Sequence, residues 1–329
     1  MKKILFAILA SMLAIGAYAQ QKEWKLEDIY IRDPYIVPVK ETKTYYLYRT
    51  ASATSSKGKT IGGVEVFTSK DLKTWHGPKR VFTVPEDNWI TGVVWAPEVH
   101  RYKGKYYLFA TLNSDIKWKK SKKDWPDYTF RGTQIFYSDT PDGPFLPFSK
   151  MPHTPMDEMA LDGTLYVEDG VPYMVYCHEW VQLEDGAMNV VRLKDDLSGT
   201  VGEPMRLFCA SSAPWSTGKK RGADVSVDYV TDGCYLYKTK TGKLLMMWSS
   251  FLNYQYAIGI AESTTGKITG PWVQQEKPIF SKDGGHGMLF KSFDGAFYII
   301  FHGPNEPDGA ERARLFEIED TGETLKIKQ

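Results

Sequence analysis

The chain has 329 residues, with 41 Lys and Arg against 40 Asp and Glu, and a formal net charge of +1. That balance leaves no global field to attract nucleic acid or an anionic membrane, so partners recruited by net charge are excluded. Three cysteines without a CxxC spacing (Cys177, Cys209, Cys234) exclude a disulfide-built scaffold. Aromatics at 14 %, with 10 Trp and 20 Tyr, suit many strands and faces on which a sugar can stack.

Residues 1–19 read as a cleaved leader. Lys2 and Lys3 precede the apolar run ILFAILASMLAIGA, and Ala17-Tyr18-Ala19 forms a small-x-small cleavage site before Gln20. The run is shorter than the roughly 18 residues that read as a membrane span. No later segment qualifies, so the processed chain is expected to be an exported monomer, periplasmic or secreted, with no membrane span.

Residues 20–329 read as a single domain built from five copies of one unit. A polar start, an apolar strand, a turn and a Tyr-rich strand recur as DPYIVPVKETKTYYLYRTAS from Asp33 and APEVHRYKGKYYLFATLNS from Ala96. They recur again as DGTLYVEDGVPYMVYCHEW from Asp162, DGCYLYKTKTGKLLMMWSSF from Asp232 and GHGMLFKSFDGAFYIIFHGPN from Gly285. An alternating strand follows each copy, and alternation of period two between Gly, Asp and Pro turns argues hairpins. Short runs such as KRVFTV, MRLFCA and KPIFSK supply a fourth strand. Four strands per unit, repeated radially, predict an all-β, five-bladed β-propeller with antiparallel blades. The inserts at 113–130 and 210–227 read as binding loops, with Trp118, Trp125 and Trp215 as candidate sugar contacts.

First strands of a propeller converge on the axis. Asp33, Asp162 and Asp232 stand at three of the five starts, Glu98 lies just inside a fourth, and His286 opens the fifth. Clustered carboxylates raise one another's pKa values and let one stay protonated near neutral pH. A protonated acid opposite an ionised carboxylate is the equipment of glycoside hydrolysis.

RDPY, WAPE, LDG and the GHG after a GPW strand, in this order over essentially the whole processed chain, resemble glycoside hydrolase family 43. The resemblance implies an inverting glycosidase acting on arabinofuranosyl or xylosyl linkages of an oligosaccharide or polysaccharide. Asp33 matches the general base and Asp162 the carboxylate that tunes the acid. His286 matches an axial histidine that holds an ordered water or a calcium-like ion, and no cofactor is otherwise required. Where the family places a Glu as proton donor, this chain has Asp232, one methylene shorter. A setback of about 1 Å can cost a hundredfold in rate, so Asp232 and Glu179 of CHEW both stand as candidate acids. Trp95, Glu98, Trp180, Arg312 and Arg314 are the candidate substrate contacts. Two rival readings are a retaining fructan-type glycosidase and a glycan-binding propeller without turnover.

Overall fold

The computed structural model describes residues 22–121, 125–221 and 226–328; the leader read from the sequence lies outside them. Blade I comprises Tyr35–Val39, Thr44–Thr54, Thr60–Ser69 and Trp75–Thr83, with Glu23–Trp24 added on its outer edge. Blade II comprises Val94–Tyr102, Lys105–Lys119, Tyr128–Ser138 and Leu146–Pro147. Blade III comprises Ala160–Glu168, Val171–His178, Ala187–Leu193 and Thr200–Cys209. Blade IV comprises Asp232–Lys238, Leu244–Leu252, Gln255–Ser263 and Trp272–Gln274. Blade V comprises Gly285–Lys291, Phe297–Gly303, Arg312–Asp320 and Leu325–Ile327. Neighbouring strands pair antiparallel throughout, and the five-bladed β-propeller expected from the repeats is the architecture observed.

The second strands are buried on both faces because each blade packs between two others. LLMMWSSFL at Leu244–Leu252 is buried at every position but the last, which explains a nearly continuous apolar run where a one-sided strand would alternate. The core is therefore a set of layers between blades. Leu161, Val175 and Met188 of blade III, for example, pack against Cys234, Met246 and Trp248 of blade IV. The N-terminal segment closes the ring. Trp24 pairs with Trp75 of blade I, Tyr30 bridges Arg312 of blade V, and Ile29 and Ile31 are buried between them.

Three local expectations change. The fourth strand of blade IV is Trp272–Gln274, while KPIFSK contributes only an isolated bridge from Phe280 to Ile258. Much of the 113–130 insert is strand, since Lys105–Lys119 and Tyr128–Ser138 extend the blade II hairpin outward. The 210–227 insert contains a 3-10 turn at Ala210–Ser212 and a ribbon pairing Lys219–Arg221 with Ser226–Asp228. Trp125 and Trp215 are buried wedges and not exposed platforms. The Trp125 indole N–H donates to the Val181 carbonyl at 2.7 Å, and the Trp215 ring packs 4.9 Å from that of Trp248. Trp118 is partly exposed, on Tyr128 and Phe130, and does not line the central funnel.

Candidate active site

One residue near the start of every blade adopts the left-handed conformation: Asp33, Ala96, Asp162, Gly233 and His286, with φ of 51°, 41°, 54°, 54° and 56°. In blades II to V it sits in a bulge that follows Trp95, Leu161, Asp232 and Gly285 respectively. Four of the five are not glycine, and each such conformation costs roughly 1–2 kcal/mol, so the ring is strained where it meets the axis. This phasing corrects the sequence reading. Asp232 is not equivalent to Asp33 and Asp162; it stands one residue earlier, in the position of Arg32, Trp95, Leu161 and Gly285. Two Asp-Gly pairs, at Asp162 and Asp232, disguised the offset.

Both sets of positions face a central funnel of about 630 Å³, lined by Asp33, Asp162 and His286 from one set and Arg32, Trp95, Leu161 and Asp232 from the other. Side chains of the preceding blade cap the strained backbone. The Asp162 N–H donates to Thr111 Oγ1 at 2.8 Å and the His286 N–H to Ser249 Oγ at 2.8 Å. Cys177 holds the matching place in blade III. Its thiol is a poor acceptor, and the Gly233 N–H instead donates to Asp162 Oδ2 at 3.1 Å.

The glycines leave room for function. A Cβ on Gly285 would lie 2.3 Å from the Tyr256 ring, and the Tyr256 hydroxyl uses that space to donate to Asp232 Oδ2 at 3.1 Å. A Cβ on Gly233 would meet His286 Cγ at 2.6 Å, on a backbone already at φ 54°. Gly233→Ala should therefore destabilise the fold by about 1–3 kcal/mol and lower activity, measured by denaturant unfolding beside initial rates.

The carboxyls sit in contrasting fields. His286 Nδ1 lies 3.2 Å from Asp33 Oδ1 and 3.7 Å from Asp162 Oδ2. His302 Nδ1 lies 3.1 Å from Asp33 Oδ1, and its other ring nitrogen lies 3.3 Å from Asn305 Oδ1. Arg32 donates to that same Asn305 oxygen at 2.6 Å and to Glu311 Oε1 at 2.8 Å. Burial pushes Asp33 upward, but His286, His302 and Arg32 outweigh it and hold the carboxyl well below the usual range. Burial raises Asp162, and the nearby Asp232 and Asp33 add to the rise against the pull of His286. Asp232 is raised by burial and by Asp33. Burial opposes a charge on His286, yet Asp33, Asp162, Glu98 and Asp232 raise its pKa overall. The funnel thus pairs one firmly ionised carboxylate with two carboxyls that retain protons to higher pH. Replacing His302 with Gln removes a charge partner of Asp33 and raises its pKa. If Asp33 must be ionised for turnover, the acid limb of the kcat/KM profile should move to higher pH.

Glu179 also reaches the funnel, from the end of the second strand of blade III. Burial raises its pKa against an ion pair with Arg131, and Asp232 adds to the rise. Trp95 and Trp180 line the funnel as expected. Three predicted contacts lie elsewhere. Glu98 is buried against His100, 2.8 Å from its Nε2. Arg312 donates to the Gly309 and Glu311 carbonyls. Arg314 lines a separate cavity beside Phe280 and Phe316. Both arginines stand on the third strand of their blade, out from the axis. Arg32, Arg49, Tyr256 and Glu311 line the funnel without having been singled out in the sequence. Arg32 was within reach, as the residue immediately before Asp33.

Calcium takes six to eight oxygen ligands. His286 turns Nδ1 to two carboxylates, and among the described residues no group of three or more His, Cys, Asp or Glu side chains is arranged to hold a metal ion. The observed place of the His286 Nδ1 is beside Asp33 and Asp162, as a charge partner to both.

The sequence matches the family Glycosyl hydrolases family 43 over residues 29–320, nearly all of the propeller. The chain belongs to glycosyl hydrolase family 43. Among solved structures, this family 43 protein is similar to an endo-arabinase from Bacteroides thetaiotaomicron VPI-5482. The two are 37 % identical over 90 % of this chain and 96 % of that one, with a TM-score of 0.77. The extracellular exo-alpha-(1->5)-L-arabinofuranosidase ArbA of Cellvibrio japonicus (strain Ueda107) is 21 % identical over 96 % of this chain and 89 % of its own length. Alpha-L-arabinofuranosidase 43 of Humicola insolens is 24 % identical over 82 % of this chain and 53 % of its own length. Family membership identifies the protein as a glycoside hydrolase with a glycan substrate, and a propeller that only binds glycan is set aside. Among the described residues no helix is long and apolar enough to cross a membrane.

Proposed function

We propose that this family 43 enzyme hydrolyses α-L-arabinofuranosyl linkages with inversion, using Asp33 as general base and Asp232 as general acid. The observation that carries the assignment is the unequal set of partners within one funnel: His286 and His302 lie 3.2 and 3.1 Å from Asp33 Oδ1, whereas Asp232 takes a hydrogen bond from the neutral Tyr256 hydroxyl. Asp33 is kept ionised by His286, His302 and Arg32, whereas burial and neighbouring carboxylates favour the protonated forms of Asp162 and Asp232. Asp33 draws a proton from water as that water attacks the anomeric carbon, and Asp232 gives its proton to the departing oxygen. The Tyr256 hydroxyl occupies Asp232 Oδ2, so Oδ1 is the oxygen free to carry that proton. Asp162, held by the Gly233 N–H and pushed up by burial and the nearby Asp232, is coupled to the acid, so that the two carboxyls hold their proton jointly. Glu179 is a poorer donor because its carboxylate is committed to Arg131.

Arabinofuranosyl substrates are supported by the arabinan-acting names of the similar proteins. The experiment is turnover of linear α-1,5-arabino-oligosaccharides and aryl α-L-arabinofuranosides, with aryl β-D-xylosides as the contrast, followed by proton NMR. Initial release of β-configured arabinose supports inversion, release of the α-configured sugar overturns it, and cleavage of xylosides alone overturns the substrate assignment. We also propose export, on the leader pattern of residues 1–19. An N-terminus at Gln20 on protein recovered outside the cytoplasm supports it, and an intact Met1 there contradicts it.

A further inference from the structure

Glu179, Arg131 and Trp95 form a contact chain that the proton-transfer scheme does not use. Arg131 Nη1 donates to Glu179 Oε2, and Arg131 Nε donates to Asn113 Oδ1. The same guanidinium lies over the Trp95 indole, 4.3 Å from the ring centroid. Asn113 is itself anchored, with its amide donating to the Val93 carbonyl at 3.3 Å. The Glu179 and Arg131 side chains are only 9 % and 11 % exposed, while Trp95 is 39 % exposed and lines the funnel. Residues of blades II and III are thereby joined into one rigid wall.

We propose that this wall is a sugar-binding unit in which Glu179, paired with Arg131, is an acceptor for a substrate hydroxyl, Arg131 is the residue that positions it, and Trp95 supplies the stacking surface. The proposal rests on the reading of Asp232 as the acid and assigns Glu179 a different duty. A carboxylate with Oε2 held by a guanidinium turns its remaining acceptor capacity to the funnel, where sugar hydroxyls are the available donors. Hydrogen bonds to a charged group are stronger than neutral ones. The indole packs one face on the guanidinium and keeps exposed surface for the C–H face of a sugar ring. Only a planar fork bonds Asn113 and Glu179 at once while lying over an indole, so Lys is not an equivalent of Arg at position 131.

The test compares Glu179→Gln, Arg131→Lys and the double variant on arabino-oligosaccharides and on an aryl arabinofuranoside series of graded leaving-group pKa. Each single variant should raise KM for oligosaccharides by about tenfold, the worth of one charged hydrogen bond. The effect on kcat should be smaller, with no dependence on the leaving group. The double variant should be no worse than the worse single one, since both changes break one unit. Calorimetric titration of arabinotriose into Asp33→Asn, with and without Glu179→Gln, gives a readout independent of turnover, and the second change should weaken binding by the same factor. Unchanged KM and unchanged affinity would overturn the proposal. So would a collapse of kcat in Glu179→Gln that steepens with leaving-group pKa, because Glu179 would then be the proton donor. Failure of the underlying scheme looks different: Asp232→Asn would show no leaving-group dependence, whatever Glu179 does to KM.

Discussion

Asp33→Asn is expected to lower kcat/KM on arabino-oligosaccharides by about 10²–10⁴-fold, the usual contribution of a positioned general base. An amide cannot accept the proton of the attacking water, while its shape keeps the packing of Asp33 between His286 and His302. Thermal unfolding should therefore remain cooperative, and oligosaccharide should still bind. The loss should be equal for good and poor leaving groups, because water activation is needed in either case. Retention of more than about a tenth of wild-type activity in a folded Asp33→Asn protein would remove Asp33 from the role of base.

Asp232→Asn is expected to produce a loss that depends on the substrate. With a sugar as leaving group the departing alkoxide needs its proton, and the rate should fall by about 10²–10⁴-fold. With a dinitrophenyl leaving group, stable as an anion near neutral pH, the fall should be far smaller. The alkaline limb of the pH profile reports the carboxyls that retain protons longest, so it should also change in Asp232→Asn. A plot of log kcat against leaving-group pKa for wild type and variant checks both points. Parallel lines would transfer the acid to another carboxyl, with Glu179 next in reach of the funnel.

The candidate site was largely legible from one dimension because a propeller converts repeat position into convergence. Asp33, Asp162, His286, Glu179, Trp95 and Trp180 were found by their place at the ends of blade strands, and all line the funnel. Glu98, Arg312 and Arg314 do not line the funnel, because strand position alone does not say which side of a bulge, or which distance from the axis, a side chain occupies. The buried Trp125 and Trp215 failed because an aromatic residue in a long insert has the same composition whether it wedges two blades or offers its face to solvent.

The sequence by itself determined the fivefold β repeat, since period-two alternation and Gly, Asp and Pro turns are local properties that each unit carries in full. It also marked four of the acids that reach the funnel, Asp33, Asp162, Asp232 and Glu179. Only the tertiary structure decided their charges. Asp33 and Asp162 look alike in the chain, but His302 and Arg32 join His286 around the first, while burial beside Asp232 governs the second. Those partners come from far along the chain, as His302 does, 269 residues from Asp33. Electrostatic energy depends on separation in space and on exclusion of water, and neither quantity is written in sequence spacing.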